Sequence, residues 1–180
     1  MNRHHNALLN QRLADEHLPK LIVFDLDFTL WDCGGTWCDC LSPPFKLGEF
    51  LVDSQGRQID LYPDVKAILE WCSKKQIPTA LASRTERPDW ARELLLRLAI
   101  AGRFDWQEIY PSSKIRHFES ISKESGFAFE EMLFFDDEMR NIRELEAVGV
   151  ACFCVQSGMS AAVFDEGLKL FALKHLESSR

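Results

Sequence analysis

Hydrophobic residues along the chain follow two alternating rhythms. Short apolar runs fall at residues 20–24 (KLIVF), 77–83 (IPTALAS), 106–110 (WQEIY), 132–137 (MLFFDD) and 150–155 (VACFCV). Between and after them lie stretches with helical spacing, at residues 63–75, 88–100, 114–126, 139–149 and 161–176. In the first of these, Val65, Ile68, Leu69 and Cys72 share one face, the signature of an amphipathic helix. Pro63 and Pro88 stand where the first helical residue is expected, and Gly126 and Gly149 where helices stop, matching the preference for proline at the start and glycine past the end.

Strands alternating with helices predict βαβ units and a parallel sheet covered on both faces. Near-continuous apolar strands fit that double burial. The predicted fold class is therefore α/β, a three-layer, doubly wound parallel sheet. The rhythm breaks between Asp27 and Pro63, where no long helix is patterned. There, LGEFLVDSQGRQIDL predicts two short strands around a Ser54-Gln55-Gly56 turn. Residues 28–62 are thus expected to form a loop and hairpin projecting over the strand ends as a minimal cap. The core domain is expected to span residues 20–175, with a polar extension at 1–19 and a short tail at 176–180.

Composition narrows the class. The chain has 180 residues, 46% hydrophobic and 27% charged, ordinary for one soluble domain. A formal net charge of −7 disfavours a nucleic-acid partner, whose binding surface would be basic. No apolar run approaches the ~18 residues of a membrane span. The N-terminus has no secretory hydrophobic region, and Asp15 and Glu16 argue against a transit peptide. Six cysteines in a chain this large do not read as a disulfide framework. Cys33, Cys38 and Cys40 lack the second ligand pair that a structural zinc site needs. A reduced, cytoplasmic protein is expected.

The first strand ends on Asp25 and Asp27. Two carboxylates ~4 Å apart at an effective dielectric of ~20 repel by about 4 kcal/mol, so the pair asks for a cation, a proton or open solvent. Ligands of this fold class sit beyond the carboxyl ends of the strands, and the other polar residues gather there too. Ser83 closes the second strand, Asp136 and Asp137 close the fourth, and Lys114 opens the helix after the third. Each has a plainer reading: a turn residue, a loop serine, a solvated lysine, a helix cap. Asp137 in particular is placed to cap the next helix. Taken together at one sheet edge, they point to phosphoryl transfer with Mg²⁺. Carboxylates hold the hard cation, an aspartate attacks phosphorus, and Ser83 and Lys114 bind the phosphoryl oxygens.

The segments FDLDFTL, ALASRT, YPSSK and FFDDEMRN resemble the four motifs of the haloacid dehalogenase superfamily of phosphatases. DLDFTLW, PPF, LYPDV, ASRT, EIYPSSK, His117-Phe118, FFDDE with Arg140-Asn141-Ile142, and SGMS are similar to its magnesium-dependent acid phosphatase branch. The resemblance runs from about Lys20 to Phe171 and departs in DCGGTWCDC. It implies an aspartyl-phosphate mechanism. Asp25 would be nucleophile and Mg²⁺ ligand. Asp27 would be the acid and then the base, giving its backbone carbonyl to the metal. Ser83 and Arg84 would hold the phosphoryl group, and Lys114 would neutralise that group and Asp25. Asp136 would be a metal ligand, supported from outside the ligand set by Asp137. The implied substrate is a phosphotyrosyl peptide or protein, or a sugar phosphate. Alternatives are a small-metabolite or nucleic-acid 3′-phosphatase of the same superfamily, or a receiver-type signalling domain. The receiver is disfavoured because the third strand ends at Tyr110 without an acid. Trp31 and Trp37 could wall an open site, or could merely pack the hairpin onto the domain.

Overall fold

A computed structural model describes residues 17–178. The expected extension at 1–19 lies mostly outside the described residues. The central sheet comprises β1 (Leu21–Phe24), β6 (Thr79–Ser83), β7 (Trp106–Ile109), β8 (Met132–Asp136) and β9 (Ala151–Cys154), in the order β7-β6-β1-β8-β9. Every pairing in it is parallel. Alternate residues of β1 serve opposite faces. Ile22 and Phe24 pack with α1 (Val65–Lys74), α2 (Pro88–Arg97) and α5 (Ala161–Ser178). Leu21 and Val23 pack with α3 (Lys114–Ser125) and α4 (Met139–Glu146). This is the predicted three-layer α/β architecture. Among the described residues no helix is long and apolar enough to cross a membrane.

The chain winds outward from β1 through β6 to β7, then returns to the other side of β1 to form β8 and β9. That reversal puts the switch-point crevice at the carboxyl ends of β1 and β8. Helix caps set the approaches to it. Ser113 accepts the Arg116 N–H at the start of α3, and Gly126 ends that helix in a left-handed conformation, φ 78°, which glycine adopts without a Cβ clash. Pro88 is the first residue of α2 as expected. Pro63 is not the first residue of α1. It precedes Asp64, which occupies the cap position, and the Asp64 carboxylate instead accepts the Ala161 N–H opening α5, at 2.8 Å.

The stretch between β1 and α1 is more regular than the predicted loop and hairpin. The expected strands form as β4 (Leu51–Val52) and β5 (Gln58–Leu61). They are flanked by β2 (Trp31–Asp32) and β3 (Lys46–Leu47) in a four-stranded antiparallel sheet of order β2-β5-β4-β3. Strands of two residues are too short to carry a readable periodicity. Asp53 organises the tip, accepting the N–H groups of Gln55 and Arg57 at 2.9 and 2.8 Å. Gly56, at φ 80°, supplies the left-handed residue of the turn.

Candidate active site

Strand register brings the predicted residues to one edge. Phe24 pairs with Leu81 on one side and Phe135 on the other. Asp25 and Asp136 therefore leave the sheet side by side, with Ser83 one residue beyond the level of Asp25 on β6, and the Asp25 N–H continues the ladder to the Phe135 carbonyl at 2.9 Å. Lys114, the first residue of α3, enters beneath them with 0% of its surface exposed. Its ammonium donates to Asp25 Oδ1 at 2.6 Å, contacts Asp136 Oδ2 at 3.0 Å and donates to the Ala82 carbonyl.

Asp136 is fully buried and fully engaged. The Asn141 amide donates to both of its oxygens at 3.0 Å, and the Glu138 N–H donates to Oδ1 at 2.7 Å. Asn141 in turn accepts from Arg84 Nη1 at 3.0 Å. A continuous chain thus runs from Arg84 through Asn141, Asp136 and Lys114 to Asp25. Asp137 points elsewhere. It lines the cavity, while Asp136 does not, and it does not cap α4, whose cap position is Glu138 with no side-chain bond. The local turn is held by Asp136 instead.

Asp27 is held at one oxygen. Oδ1 accepts from Trp31 Nε1 at 2.7 Å and the Cys38 N–H at 2.9 Å, with the Cys33 thiol at 3.7 Å. Trp31 is 0% exposed and so does not wall the site; Trp37 does, at 53% exposure. Ser83 lies at the cavity floor beside Arg84. Beyond it, the Thr85 hydroxyl donates to Asp39, whose other oxygen accepts the Glu86 N–H at 3.1 Å. The insert is thereby tied to the loop after β6. The cavity enclosed by these groups is ≈ 200 Å³, small beside the roughly 300–1,000 Å³ of pockets that swallow whole ligands.

The electrostatics are short of positive charge. Burial, opposed by Lys114 and reinforced by Asp136 and Asp27, holds the Asp25 carboxyl well above its usual range. Burial also raises Asp27, against the hydrogen bonds from Trp31 and Cys38. Burial and the neighbouring charges of Asp136 and Glu138 push Asp137 up to about 6. Burial alone would lower Lys114, but Asp25 and Asp136 hold its ammonium above the ordinary value. His117 is buried beneath the Tyr110 carbonyl, 3.0 Å from Nε2. Burial, with Lys114 nearby, takes it down to about 4, so at neutral pH it is an uncharged wedge.

Such a site suits a hard divalent cation. Among the described residues no three His, Cys, Asp or Glu side chains converge on one point as a closed metal site. Mg²⁺ does not ask for one, since it takes one or two carboxylates and keeps several waters. Of the expected residues, Asp25, Asp27, Ser83, Arg84, Lys114 and Asp137 meet at the cavity, with Asp136 buried directly behind it. Asp39, Thr85 and Asn141 also build the site but carried no role in the sequence reading, and Trp31 and Cys38 build it in roles other than the wall and the zinc ligand weighed there. One sequence signal was available: Asn141 stands in the Arg140-Asn141-Ile142 stretch that follows FFDDE.

The acid phosphatase family matches residues 17–174. Human magnesium-dependent phosphatase 1 is 42% identical over 158 residues, covering 86% of this chain and 88% of that protein. A HAD-like hydrolase superfamily protein of Schizosaccharomyces pombe is 38% identical over 146 residues, 73% and 83% of the two chains. Among solved structures, the phosphatase-containing N-terminal part of a Bacteroides fragilis protein, complexed with Mg, superposes with a TM-score of 0.61 at 18% identity, over 91% of this chain and 44% of that one. L-2-haloacid dehalogenase from Xanthobacter autotrophicus does so with a TM-score of 0.55 at 14% identity, over 81% and 80%. With its sheet edge, its buried lysine and nearly its whole described length accounted for, the chain belongs to the acid phosphatase family, on the haloacid dehalogenase-like fold.

Proposed function

We propose that the protein is a magnesium-dependent phosphomonoester hydrolase working through an aspartyl-phosphate on Asp25. The observation that carries this is the Lys114 ammonium, buried between Asp25 and Asp136 at 2.6 and 3.0 Å. It holds one oxygen of Asp25, and no donor among the described residues reaches the other, which is the oxygen that attacks phosphorus. As that P–O bond forms, the bond to the leaving alcohol breaks, and Asp27 gives the alkoxide its proton. Asp27 then takes a proton from the water that attacks the aspartyl-phosphate, releasing inorganic phosphate and regenerating Asp25. Ser83, Arg84 and Lys114 hold the phosphoryl oxygens.

Mg²⁺, as in the relatives' names, would neutralise the phosphoryl oxygens and the crowded carboxylates. The residues that would hold it are Asp25, the Asp27 carbonyl and Asp137. Asp136, the ligand expected from the sequence, has its oxygens taken by Lys114, Asn141 and the Glu138 N–H. We therefore exchange the two roles, making Asp137 the ligand and Asp136 the support behind it.

The substrate class follows from the small cavity and from exposed Trp37, which packs edge-on against Phe28. A cavity sized for the phosphoryl group leaves the leaving group outside, against an aromatic wall. Phosphotyrosine on a peptide or protein is the leading substrate, with sugar phosphates second. All six cysteines are free, in keeping with a cytoplasmic setting. The test is hydrolysis of p-nitrophenyl phosphate with and without Mg²⁺, followed by kcat/KM for a phosphotyrosyl peptide against sugar phosphates. Activity indifferent to Mg²⁺ refutes the chemistry, and refusal of every peptide refutes the substrate class.

A further inference from the structure

Asp27 is gripped asymmetrically, and the grip is built locally. The Leu26 carbonyl accepts the N–H groups of Leu30 and Trp31 at 2.8 and 3.2 Å, and the Phe28 N–H returns to the Trp31 carbonyl at 2.9 Å. This winds residues 26–31 into a tight loop, with Phe28 at φ 56°, and folds Trp31 back onto Asp27. The indole is entirely buried, and Oδ1 of Asp27 is the acceptor of its N–H, at 2.7 Å. The second N–H comes from Cys38, in the 3-10 turn Cys38–Cys40 of the insert, and the third contact from the Cys33 thiol. The Cys38 thiol also lies beside the Asp27 carboxylate, and no N–H or O–H donor among the described residues reaches Oδ2.

A proton on Oδ1 would occupy a lone pair already used by these donors and would face them head-on. A proton on Oδ2 meets no such conflict. We infer that Trp31 is the positioning residue for the acid–base work of Asp27: with the Cys38 N–H and Cys33 thiol it anchors Oδ1, so that Oδ2 carries the proton exchanged with the leaving group and with water. This rests on the phosphatase reading above. The plainer account is that Asp27 merely satisfies a buried indole, which needs a partner in any core. That account predicts a change in stability but no change in how the rate depends on the leaving group.

The experiment uses the full chain with Trp31→Phe, which removes the N–H and keeps an aromatic filling. Trp31 is also replaced by benzothienylalanine, which puts sulfur where the indole has N–H and preserves the shape. kcat/KM is measured with Mg²⁺ across phosphate monoesters from alkyl esters to p-nitrophenyl phosphate. For both variants the expected loss is on the order of tenfold for alkyl esters, whose departure needs a proton, and under about threefold for p-nitrophenol, whose departure does not. In an Asp27→Asn background, either replacement of Trp31 should make no further difference. An equal loss across all leaving groups, or the same loss in the Asp27→Asn background, overturns the inference. Should the phenylalanine variant fail to fold, the benzothienyl variant decides by the same comparison. Wild-type protein inactive with Mg²⁺, or an active Asp25→Asn variant, removes the phosphatase reading and this inference with it. An active wild type whose leaving-group dependence ignores the indole N–H removes the inference alone.

Discussion

Lys114→Met tests the charge chain at its centre. Methionine is close in length to lysine and apolar, so it leaves no large void. It removes the ammonium from Asp25 and Asp136, which it holds at 2.6 and 3.0 Å with no exposed surface of its own. Two carboxylates then face each other in the protein interior. Removing one partner of a buried ion pair costs about 3–5 kcal/mol, which for a chain of this size is a fall in Tm of roughly 6–20 °C. The pH dependence has a definite sign. Asp25 already has a raised pKa in the folded state, so its contribution to stability is favourable at acid pH and is lost as pH rises through that value. Without Lys114 the folded pKa climbs further. The deficit should therefore be largest near neutral pH and shrink as the medium is acidified. Adding Asp136→Asn removes one of the two opposed charges and should restore much of the lost Tm, yet not the activity. The assay is thermal melting in EDTA across pH, with p-nitrophenyl phosphate turnover alongside. A Lys114→Met protein as stable as wild type at pH 7, or a deficit that grows toward acid, would refute the reasoning.

Asp25→Asn should abolish turnover while Tm in EDTA stays within a few degrees of wild type or rises, since it relieves charge crowding; near wild-type turnover would take Asp25 out of the nucleophile's role. Mg²⁺ should stabilise the fold by RT ln(1 + [Mg²⁺]/Kd), about 2.7 kcal/mol at a hundredfold excess over Kd, and so raise Tm. That rise should fall sharply in Asp137→Asn, and a rise unchanged there would return the ligand role to Asp136. Trp37→Ala should reduce kcat/KM for a phosphotyrosyl peptide by roughly tenfold while sparing a small sugar phosphate; parallel losses on both would deny Trp37 a part in selecting the leaving group. Gly158→Ala builds a Cβ 2.1 Å from the Tyr62 ring at φ 79° and should destabilise by about 1–3 kcal/mol, read by denaturant melting.

The residues legible in the sequence are those whose position follows from strand ends. Asp25, Ser83 and Asp136 terminate apolar runs, and parallel pairing then forces them together without further information. Lys114 was legible because it opens a patterned helix. Contacts made by turns back on the chain were hidden. Trp31 read as a possible wall residue because its burial depends on the tight loop of residues 26–31, which has no periodicity. Asp39 and Thr85 are 46 residues apart, and no local pattern announces their bond. The proposed exchange of roles between Asp136 and Asp137 has a similar origin. Both stand at one strand end, and which one faces the cavity depends on Asn141 and Lys114 claiming the other. Asp64 likewise looked like part of its own helix, while its carboxylate is spent on the Ala161 N–H across the fold.

The insert is joined to the edge that carries the candidate site through Cys38 and Asp39, which limits what it can do. The Cys38 N–H donates to Asp27 at 2.9 Å. One residue on, Asp39 accepts from Thr85 and from the Glu86 N–H, in the loop that follows Ser83. Lifting the insert as a lid would break both attachments, strip one donor from Asp27 and leave the Asp39 carboxylate without these partners. Each hydrogen bond to a charged group contributes about 1.5–3 kcal/mol net of the bonds water would make instead, so an opening that breaks three of them is costly. An insert fixed in this way shapes the mouth of the cavity without sealing it. Under the proposed mechanism, water would be kept from Asp25 by the substrate's own leaving group, lying across Trp37, which is exposed. Within the proposed chemistry, that arrangement favours a bulky aryl or peptide-borne ester over a metabolite small enough to leave the mouth wet.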